Sequence, residues 1–170
     1  MVIEPTPRRI RVRFGGEVVA DSRNARLLHE RGELPVYFFP REDVRETTLL
    51  EGSETGRDPR KGPVRFETVR AGGEIAERAA RSYPETPAGC LVTFRWDSMD
   101  AWYEEDEQVY VHARDPYTRI DALESSRHVE VRVGGVTVAE SGRPVLLFET
   151  GLPVRYYLPK VDVDLGHMTP

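Results

Sequence analysis

Apolar and charged residues alternate along the first forty positions of the chain. Every second residue of Ile10–Phe14 is apolar, which predicts a strand with one buried face. The glycine pair at 15–16 predicts a two-residue hairpin turn, because glycine adopts positive φ without a Cβ clash. A return strand is predicted from Val18, and further strands at Leu27-Leu28 and Val36–Phe39. The first part of the chain is therefore predicted to consist of antiparallel hairpins.

The middle of the chain repeats this pattern and adds a predicted helix. Val64–Val69 alternates again and leads to a second glycine pair at 72–73. Residues 74–81 place Ile75, Ala79 and Ala80 at helical spacing, which predicts a short helix that ends before Tyr83-Pro84. Leu91–Phe94 predicts one more strand. The expected fold class is mainly β, or α+β with few short helices.

A long segment near the N-terminus returns near the C-terminus. The stretch RVRFGGEVVADSRNARLLHERGELPVYFFPREDV from Arg11 recurs from Glu130 as EVRVGGVTVAESGRPVLLFETGLPVRYYLPKVDV. The offset is 119 residues, and about half of the aligned positions are identical. Repeats of solenoid proteins are about 20–50 residues long, so this period predicts a duplicated domain.

The repeat predicts three regions. Residues 8–100 form one complete copy of the domain, 101–127 form an acidic and aromatic linker, and 128–170 form the N-terminal half of a second copy. The charge run Glu104–Glu107 is typical of a linker. A half-domain exposes sheet edges and apolar faces, so we expect the second copy to pack on the first or to form a homo-oligomer with another chain.

Composition narrows the classes of partner and compartment. The net charge is −5 and the arginines are interspersed with carboxylates, which argues against nucleic acid as a partner. No apolar run approaches the roughly 18 residues of a membrane span, and the N-terminus lacks the apolar stretch of a signal peptide. Cys90 is the single cysteine, which fits a reducing compartment. We therefore expect a cytoplasmic protein without a membrane partner.

These motifs together resemble one family. The pattern consists of the first glycine pair, Ala20-Asp21-Ser22, Glu30, Tyr37–Pro40, Asp43-Val44, Pro59–Gly62, Ala79-Ala80, Ser82–Pro84, Leu91–Phe94 and the connector Trp96–Glu107. It is similar to the bacterial and fungal family catalogued as domain of unknown function 427, here as a two-copy member with a truncated second copy. The resemblance covers essentially the whole chain.

The resemblance implies a compact, duplicated β-tent-like fold of antiparallel sheets, with relatives that bind zinc or small ligands. A nucleotidyltransferase-like label attached to the family implies an activity on nucleotides only weakly, since fold does not carry function. The chain departs from the family pattern at three places, one of which is that the second copy ends before its own Lys-Gly loop. Asp58 stands where the family has a cysteine, and Arg81 stands where a tryptophan is usual after the paired alanines.

The segment from Ser53 to Gly62 is the first candidate site. It is predicted as a loop that gathers the hydroxyls of Ser53 and Thr55 with the cations of Arg57 and Lys61. Glycine-rich backbone and a lysine can bind an anion, although the spacing of a Walker loop is absent. A solvated loop whose lysine forms a salt bridge is the alternative interpretation.

Other candidates are carboxylates and aromatics. Glu30 and Asp43 recur in the second copy and could act as acid or base beside Lys61, or they could cap turns. Trp96 and Trp102 are the aromatics best suited to a small-molecule pocket, whereas the strand aromatics are more typical of a core. No metal site is expected, since the histidines are unpaired in spacing, and no cofactor is implied. Cys90 opens an apolar strand and is expected to be an inert thiol.

Three functions remain open at this point. The first is a non-catalytic module that binds a small molecule or a partner in an aromatic pocket between the sheets, edged by Lys61. The second is an enzyme acting on a phosphorylated or nucleotide-like substrate, with Lys61 and Arg57 as an anion clamp. The third is a purely structural or assembly domain. The sequence does not decide whether the protein is an enzyme.

Overall fold

The chain forms antiparallel β-sheets joined by tight turns. A computed structural model describes residues 1–46, 48–50, 54–115, 117 and 119–167. Strands dominate these residues, and their helical segments are 3-10 turns of three residues each. The prediction of a mainly β fold with antiparallel sheets is confirmed. The chain divides into two compact units: unit 1 comprises residues 1–104 and 108–114, and unit 2 comprises 105–107 and 115–170.

Unit 1 contains two sheets. Its strands are β1 (Val2–Pro5), β2 (Ile10–Phe14), β3 (Glu17–Ser22), β4 (Arg26–His29), β5 (Val36–Pro40), β6 (Leu49–Leu50), β7 (Thr55–Asp58), β8 (Gly62–Ala71), β9 (Glu74–Ser82), β10 (Leu91–Phe94) and β11 (Ala101–Glu104), followed by β12 (Glu107–Val109). The larger sheet has the order β1-β4-β5-β10-β9-β8-β6, with β7 also paired to β8. The smaller sheet has the order β12-β11-β2-β3.

The aromatic strand β5 separates two clusters of buried side chains. Tyr37 and Phe39 point into the main core, which also holds Trp102 and Phe94. Phe38 points the opposite way, into a smaller cluster with Tyr83 and other apolar residues. Because successive strand residues face opposite sides, one strand contributes to both clusters. Members of the smaller cluster, among them Phe38 and Tyr83, also line the candidate site.

Two glycine turns meet at the end of unit 1 that lies away from that site. The β2–β3 turn has Gly15 at φ +57° and the β8–β9 turn has Gly72 at φ +56°. A Cβ on Gly15 would overlap the carbonyl oxygen of Ala71, and a Cβ on Gly72 would overlap the carbonyl oxygen of Gly15. Positive φ and the close backbone approach both require glycine at these positions.

The predicted helix at 74–81 is wrong, because this segment is strand β9. It pairs with β8 on one side and β10 on the other. Arg78 adopts a φ of +53° at an irregularity in the β8–β9 register. Such a bulge inserts extra residues, so the apolar positions lose strict alternation. Ile75 is 56% exposed, and Ala79 and Ala80 are buried by pairing in the sheet.

The charge run of the predicted linker is partly buried. Glu104 is fully buried and Glu105 is 1% exposed. Glu104 ends β11 in unit 1, where it pairs with the guanidinium of Arg8 and accepts a 2.5 Å hydrogen bond from the hydroxyl of Tyr37. Glu105 belongs to unit 2, where Arg127 donates to its carboxylate from Nη2 at 2.5 Å. Residues 101–127 thus contain strands and buried ion pairs.

Unit 2 contains five strands among its described residues. They are β13 (Ile120–Glu124), β14 (Val129–Val133), β15 (Val136–Ser141), β16 (Val145–Glu149) and β17 (Arg155–Tyr157). Their sheets have the orders β13-β16-β17 and β14-β15. A small core forms around Leu123, Leu146 and Phe148.

The strand register of unit 1 recurs in unit 2 with the sequence offset of 119. Ile3 pairs with Leu28 as Ala122 pairs with Leu147. The bulge in β2–β3 and the bulge in β14–β15 occupy matching positions. This match supports a duplicated domain, while the division into 8–100, 101–127 and 128–170 stays a prediction.

Candidate functional site

The candidate site is a cavity at one face of the larger sheet of unit 1. Three elements surround it: the β4–β5 hairpin, the β7–β8 turn and the end of β9. The volume is about 480 Å³. The wall is apolar along β4 and β5 and charged along the β7–β8 turn. Its lining residues are Leu28, Glu30, Glu33, Leu34, Val36, Phe38, Asp58, Pro59, Arg60, Lys61, Arg81 and Tyr83. We call this space the Lys61 cavity.

Lys61 is held by a set of short-range contacts. Its ammonium group donates a hydrogen bond to the carboxylate of Glu30 and lies 3.6 Å from the carboxylate of Asp58. The same nitrogen lies 5.4 Å from the centre of the Tyr83 ring, within the range of a cation–π contact. The side chains of Lys61 and Glu30 are only 12% and 10% exposed. The lysine charge is therefore compensated by two carboxylates in a weakly solvated place.

Asp58 organises the β7–β8 turn from within. Its Oδ1 accepts hydrogen bonds from the backbone N–H groups of Arg60 at 2.9 Å and Lys61 at 3.0 Å. Burial raises the pKa of the Asp58 carboxyl, but these two hydrogen bonds and the Lys61 charge outweigh burial, so the pKa lies below its usual value. Asp58 thus fixes the turn that presents Lys61.

Tyr83 is a buried aromatic residue in the lining of the cavity. It is 1% exposed and lies 6.1 Å, centroid to centroid, from Phe38. Burial raises the pKa of its phenol, and the charges of Arg81 and Lys61 offset only part of that increase. The phenol is therefore neutral over the physiological range and can act as a hydrogen-bond donor.

Arg81 lies between the Lys61 cavity and a smaller hollow next to it. Its guanidinium carbon is 5.9 Å from the centre of the Tyr83 ring. Its Nε is buried and has no hydrogen-bond partner among the described residues. A buried N–H donor without an acceptor costs about 1–3 kcal/mol. Among the described cations that line the cavity, Arg81 is therefore the one with an unsatisfied buried N–H group.

The smaller hollow has a volume of about 150 Å³ and is mainly apolar. Trp96 and Trp102 stack in parallel in its wall, with centroids 4.4 Å apart and an interplanar angle of 3°. The indole N–H of Trp96 donates to the carbonyl oxygen of Tyr110 at 3.3 Å. Trp96 therefore lies beside Arg81, in the hollow and not in the Lys61 cavity.

Several predicted site residues lie outside the Lys61 cavity. Asp43 lines a different, shallow surface depression and accepts a 2.5 Å hydrogen bond from the hydroxyl of Ser22. Asp162 and Ser141 form the same bond in unit 2, at 2.7 Å. The structure thus brings Glu30, and not Asp43, to Lys61.

The predicted loop at 53–62 is wrong in part, because Thr55–Asp58 forms strand β7. β7 pairs with β8, which places Thr55 opposite Arg65 and Arg57 opposite Pro63. Both Thr55 and Arg57 are exposed outside the cavity. Ser53 lies outside the described residues. The Lys61 cavity is built by elements of the larger sheet alone, whereas the smaller hollow is lined by Tyr37 and Phe94 of the larger sheet and by Trp102 of the smaller one.

Sequence reasoning missed the roles of Arg81, Tyr83 and Asp58. Arg81 and Asp58 each carried a signal, since each departs from the family pattern. Cys90 is exposed, although its place before an apolar strand suggested an inert thiol. Among the described residues, no group of three His, Cys, Asp or Glu side chains is arranged to hold a metal ion. The described part of the chain also contains no helix of the length and apolarity that crossing a bilayer requires.

Fold and site together define a small antiparallel β domain with a mixed-charge pocket. The family model described as Domain of unknown function (DUF427) matches residues 2–105 and 121–170, and the chain belongs to this family. The two matched segments fall in the regions whose strand registers correspond. A search of curated proteins found no match.

Proposed function

We propose that unit 1 is a non-catalytic module that binds a small molecule in the Lys61 cavity. The observation that carries the proposal is the lining of this cavity, to which Arg81 contributes a guanidinium whose buried Nε has no acceptor among the described residues. The apolar wall of β4 and β5 offers area for the body of a ligand. Such a combination of apolar lining with a few fixed polar groups is typical of small-molecule sites.

The balance of charges narrows the class of ligand. Lys61, Arg60 and Arg81 line the cavity together with Glu30, Glu33 and Asp58, so positive and negative groups are equal in number. Arg60 is paired with Glu33 at 2.9 Å, and Lys61 is paired with Glu30. A polyanion would have to displace these carboxylates. The lining favours a neutral or zwitterionic molecule with one acceptor group, such as a carboxylate or carbonyl, that binds Arg81.

The test is a ligand screen with matched arginine variants. The melting temperature of the whole chain is measured with nucleosides, amino acids, small monocarboxylates and nucleotides. A ligand that binds only the folded state stabilises it by about 2.7 kcal/mol at 100 times its Kd. We expect a neutral or zwitterionic compound to raise the melting temperature of the wild-type protein and to lose that effect in Arg81→Met.

The control is Arg57→Met, because Arg57 is exposed on β7 outside the cavity. This variant should keep the full shift. No shift across the library, or a shift that persists in Arg81→Met, would contradict the proposal.

A phosphate-directed enzyme has less support from the geometry. The enzyme hypothesis requires Lys61 and Arg57 to bind the anion together, but Arg57 lies outside the cavity. Its second candidate carboxylate, Asp43, is bonded to Ser22 in a different depression. Nucleotides in the same screen test this alternative directly, since a shift confined to phosphorylated compounds would favour it.

An assembly role has separate support in unit 2. Val133 is 65% exposed and Tyr157 is 54% exposed, whereas their counterparts at the 119-residue offset in unit 1, Phe14 and Phe38, are 6% and 1% exposed. Later strands bury these positions in unit 1. Phe14 and Phe38 belong to different clusters in unit 1, so a partner that contacts either of the corresponding positions of unit 2 would remove apolar area from water.

A further inference from the structure

Among the described residues of unit 2, one edge strand pairs with a neighbour on one side only. β14 (Val129–Val133) pairs with β15 in a sheet of two strands, so its other edge carries no strand within the part of the chain that the structure describes. Val131 and Val133 are 39% and 65% exposed. An open, apolar strand edge is a template for pairing with another chain.

Unit 1 shows how the matching edge is covered. β2 occupies the place of β14 at the 119-residue offset, and β11 pairs with its second edge. In that pairing Trp102 lies opposite Val12, and Val12 is fully buried. The β2–β11 pairing of unit 1 therefore shows that the backbone at this edge accepts an antiparallel neighbour.

The sequence of β14 is complementary to itself. In an antiparallel pair of two β14 strands with Val131 on the two-fold axis, Glu130 lies opposite Arg132 of the other copy, and Val129 lies opposite Val133. The Glu130 and Arg132 side chains share one face, where they are 33% and 63% exposed. Opposite charges directly across an antiparallel pair stabilise it.

The corresponding strand of unit 1 lacks this property. β2 reads Ile-Arg-Val-Arg-Phe, so the same two-fold pairing would set Arg11 opposite Arg13. Like charges directly opposite destabilise a strand pair. The charge pattern that suits self-pairing is therefore found on the uncovered strand and not on the covered one.

We propose that two copies of the chain associate through their β14 strands, antiparallel and centred on Val131. The partner is a second copy because the edge is complementary to its own sequence. The two-fold axis places each of the two Glu130–Arg132 pairs across the interface, and the valines pair on the opposite face. Such an isologous contact closes on itself and leaves no free edge at β14.

Charge exchange tests the register. The full chain and its variants are compared by sedimentation velocity over a range of concentrations. Glu130→Arg sets arginines opposite each other, and Arg132→Glu sets glutamates opposite each other. Each single variant should self-associate about tenfold more weakly than the wild type, because two cross-strand pairs change from attraction to repulsion.

Two combinations separate pairing between chains from effects within one chain. The double variant Glu130→Arg, Arg132→Glu restores opposite charges across the axis and should dimerise like the wild type. An equimolar mixture of the two single variants places arginines on one chain opposite glutamates on the other, and should form a heterodimer. Within one chain Arg132 also pairs with Glu130 at 2.8 Å, and the loss of that salt bridge cannot be rescued by mixing two single variants.

Arg13→Glu is the matched control, because Arg13 is the counterpart of Arg132 on the covered strand β2. It should leave self-association unchanged. A wild-type chain that stays monomeric at high concentration would overturn the proposal. So would single variants that dimerise normally, or a mixture that stays monomeric. None of these readouts depends on ligand binding in unit 1, so the two proposals can fail separately.

Discussion

The hydroxyl of Tyr37 donates a 2.5 Å hydrogen bond to the carboxylate of Glu104, and the exposed fractions of these residues are 2% and 0%. Burial and the nearby Glu104 charge raise the pKa of Tyr37 well above its usual value. Arg8 pairs with the same carboxylate. A residue of β5 and a residue of β11 are thus joined by a buried polar contact that ties the two sheets of unit 1 together.

Neutralising Glu104 should destabilise unit 1. Glu104→Gln leaves the buried guanidinium of Arg8 without its countercharge, and breaking a buried ion pair costs about 3–5 kcal/mol. Urea unfolding followed by tryptophan fluorescence measures the loss, because both tryptophans lie in unit 1. Glu74→Gln, at an exposed position, is the control and should change stability by less than about 0.5 kcal/mol. Equal stabilities of the two variants would refute the role of Glu104.

The β2–β3 turn of unit 1 and the β14–β15 turn of unit 2 provide a matched pair of glycine substitutions. Gly15 and Gly134 occupy corresponding turns with φ of +57° and +58°, but no atom lies within 4 Å of a Cβ built on Gly134. Gly134→Ala should cost about 1 kcal/mol for the backbone conformation alone. Gly15→Ala should cost several-fold more, because its Cβ overlaps the backbone of Ala71. Thermal unfolding compares them, and similar losses would mean that the two turns of unit 1 do not touch.

Asp58 should contribute stability that depends on pH. Its folded pKa lies below the ordinary value of 3.8, so its contribution is present above pH 3.8 and is lost as the pH falls through the folded pKa. Asp58→Asn keeps an oxygen acceptor for the turn but removes the charge next to Lys61. The variant should be less stable than the wild type near neutral pH, and the difference should vanish in acid. Urea unfolding at several pH values checks this, and a difference independent of pH would contradict it.

Tyr37 should make the protein sensitive to alkali. Its raised pKa means that the unfolded phenol ionises first, so its contribution is present below pH 10 and decreases as the pH rises toward the folded pKa. Tyr37→Phe removes this ionisation but also the hydrogen bond to Glu104. The variant should therefore be less stable near neutral pH, with the gap narrowing above pH 10. Unfolding curves across that range provide the measurement, and a constant gap would count against a raised pKa.

Local patterns predicted the hairpins but not the conformation of β9. The spacing of Ile75, Ala79 and Ala80 matches a helix, and no residue in the segment excludes one. The register irregularity near Arg78 produces the same spacing in a strand. Pairing with β8 and β10 overrides the helix propensity of the alanines, and those partners are set by tertiary contacts.

The buried carboxylates could not be predicted from the charge run itself. Glu104 and Glu105 look solvated in sequence, and their burial depends on Arg8 and Arg127, which lie 96 and 22 residues away. The candidate site was predicted in part. Lys61 and Glu30 were identified as candidates and lie in contact, whereas the acceptor-free Nε of Arg81 follows only from how β9 packs.

The strand register that recurs at the 119-residue offset has a consequence for folding. During synthesis, β4 of unit 1 appears before β16 of unit 2, and β4 pairs with β5 in the same register in which β16 pairs with β17. We therefore expect a fraction of refolding chains to mispair β4 with β17, or β16 with β5. Because β4 and β5 emerge first and are close in sequence, synthesis favours the native β4–β5 pair. Rapid refolding of the intact chain lacks this order, so it should yield misassembled molecules with exchanged strands that slow refolding avoids.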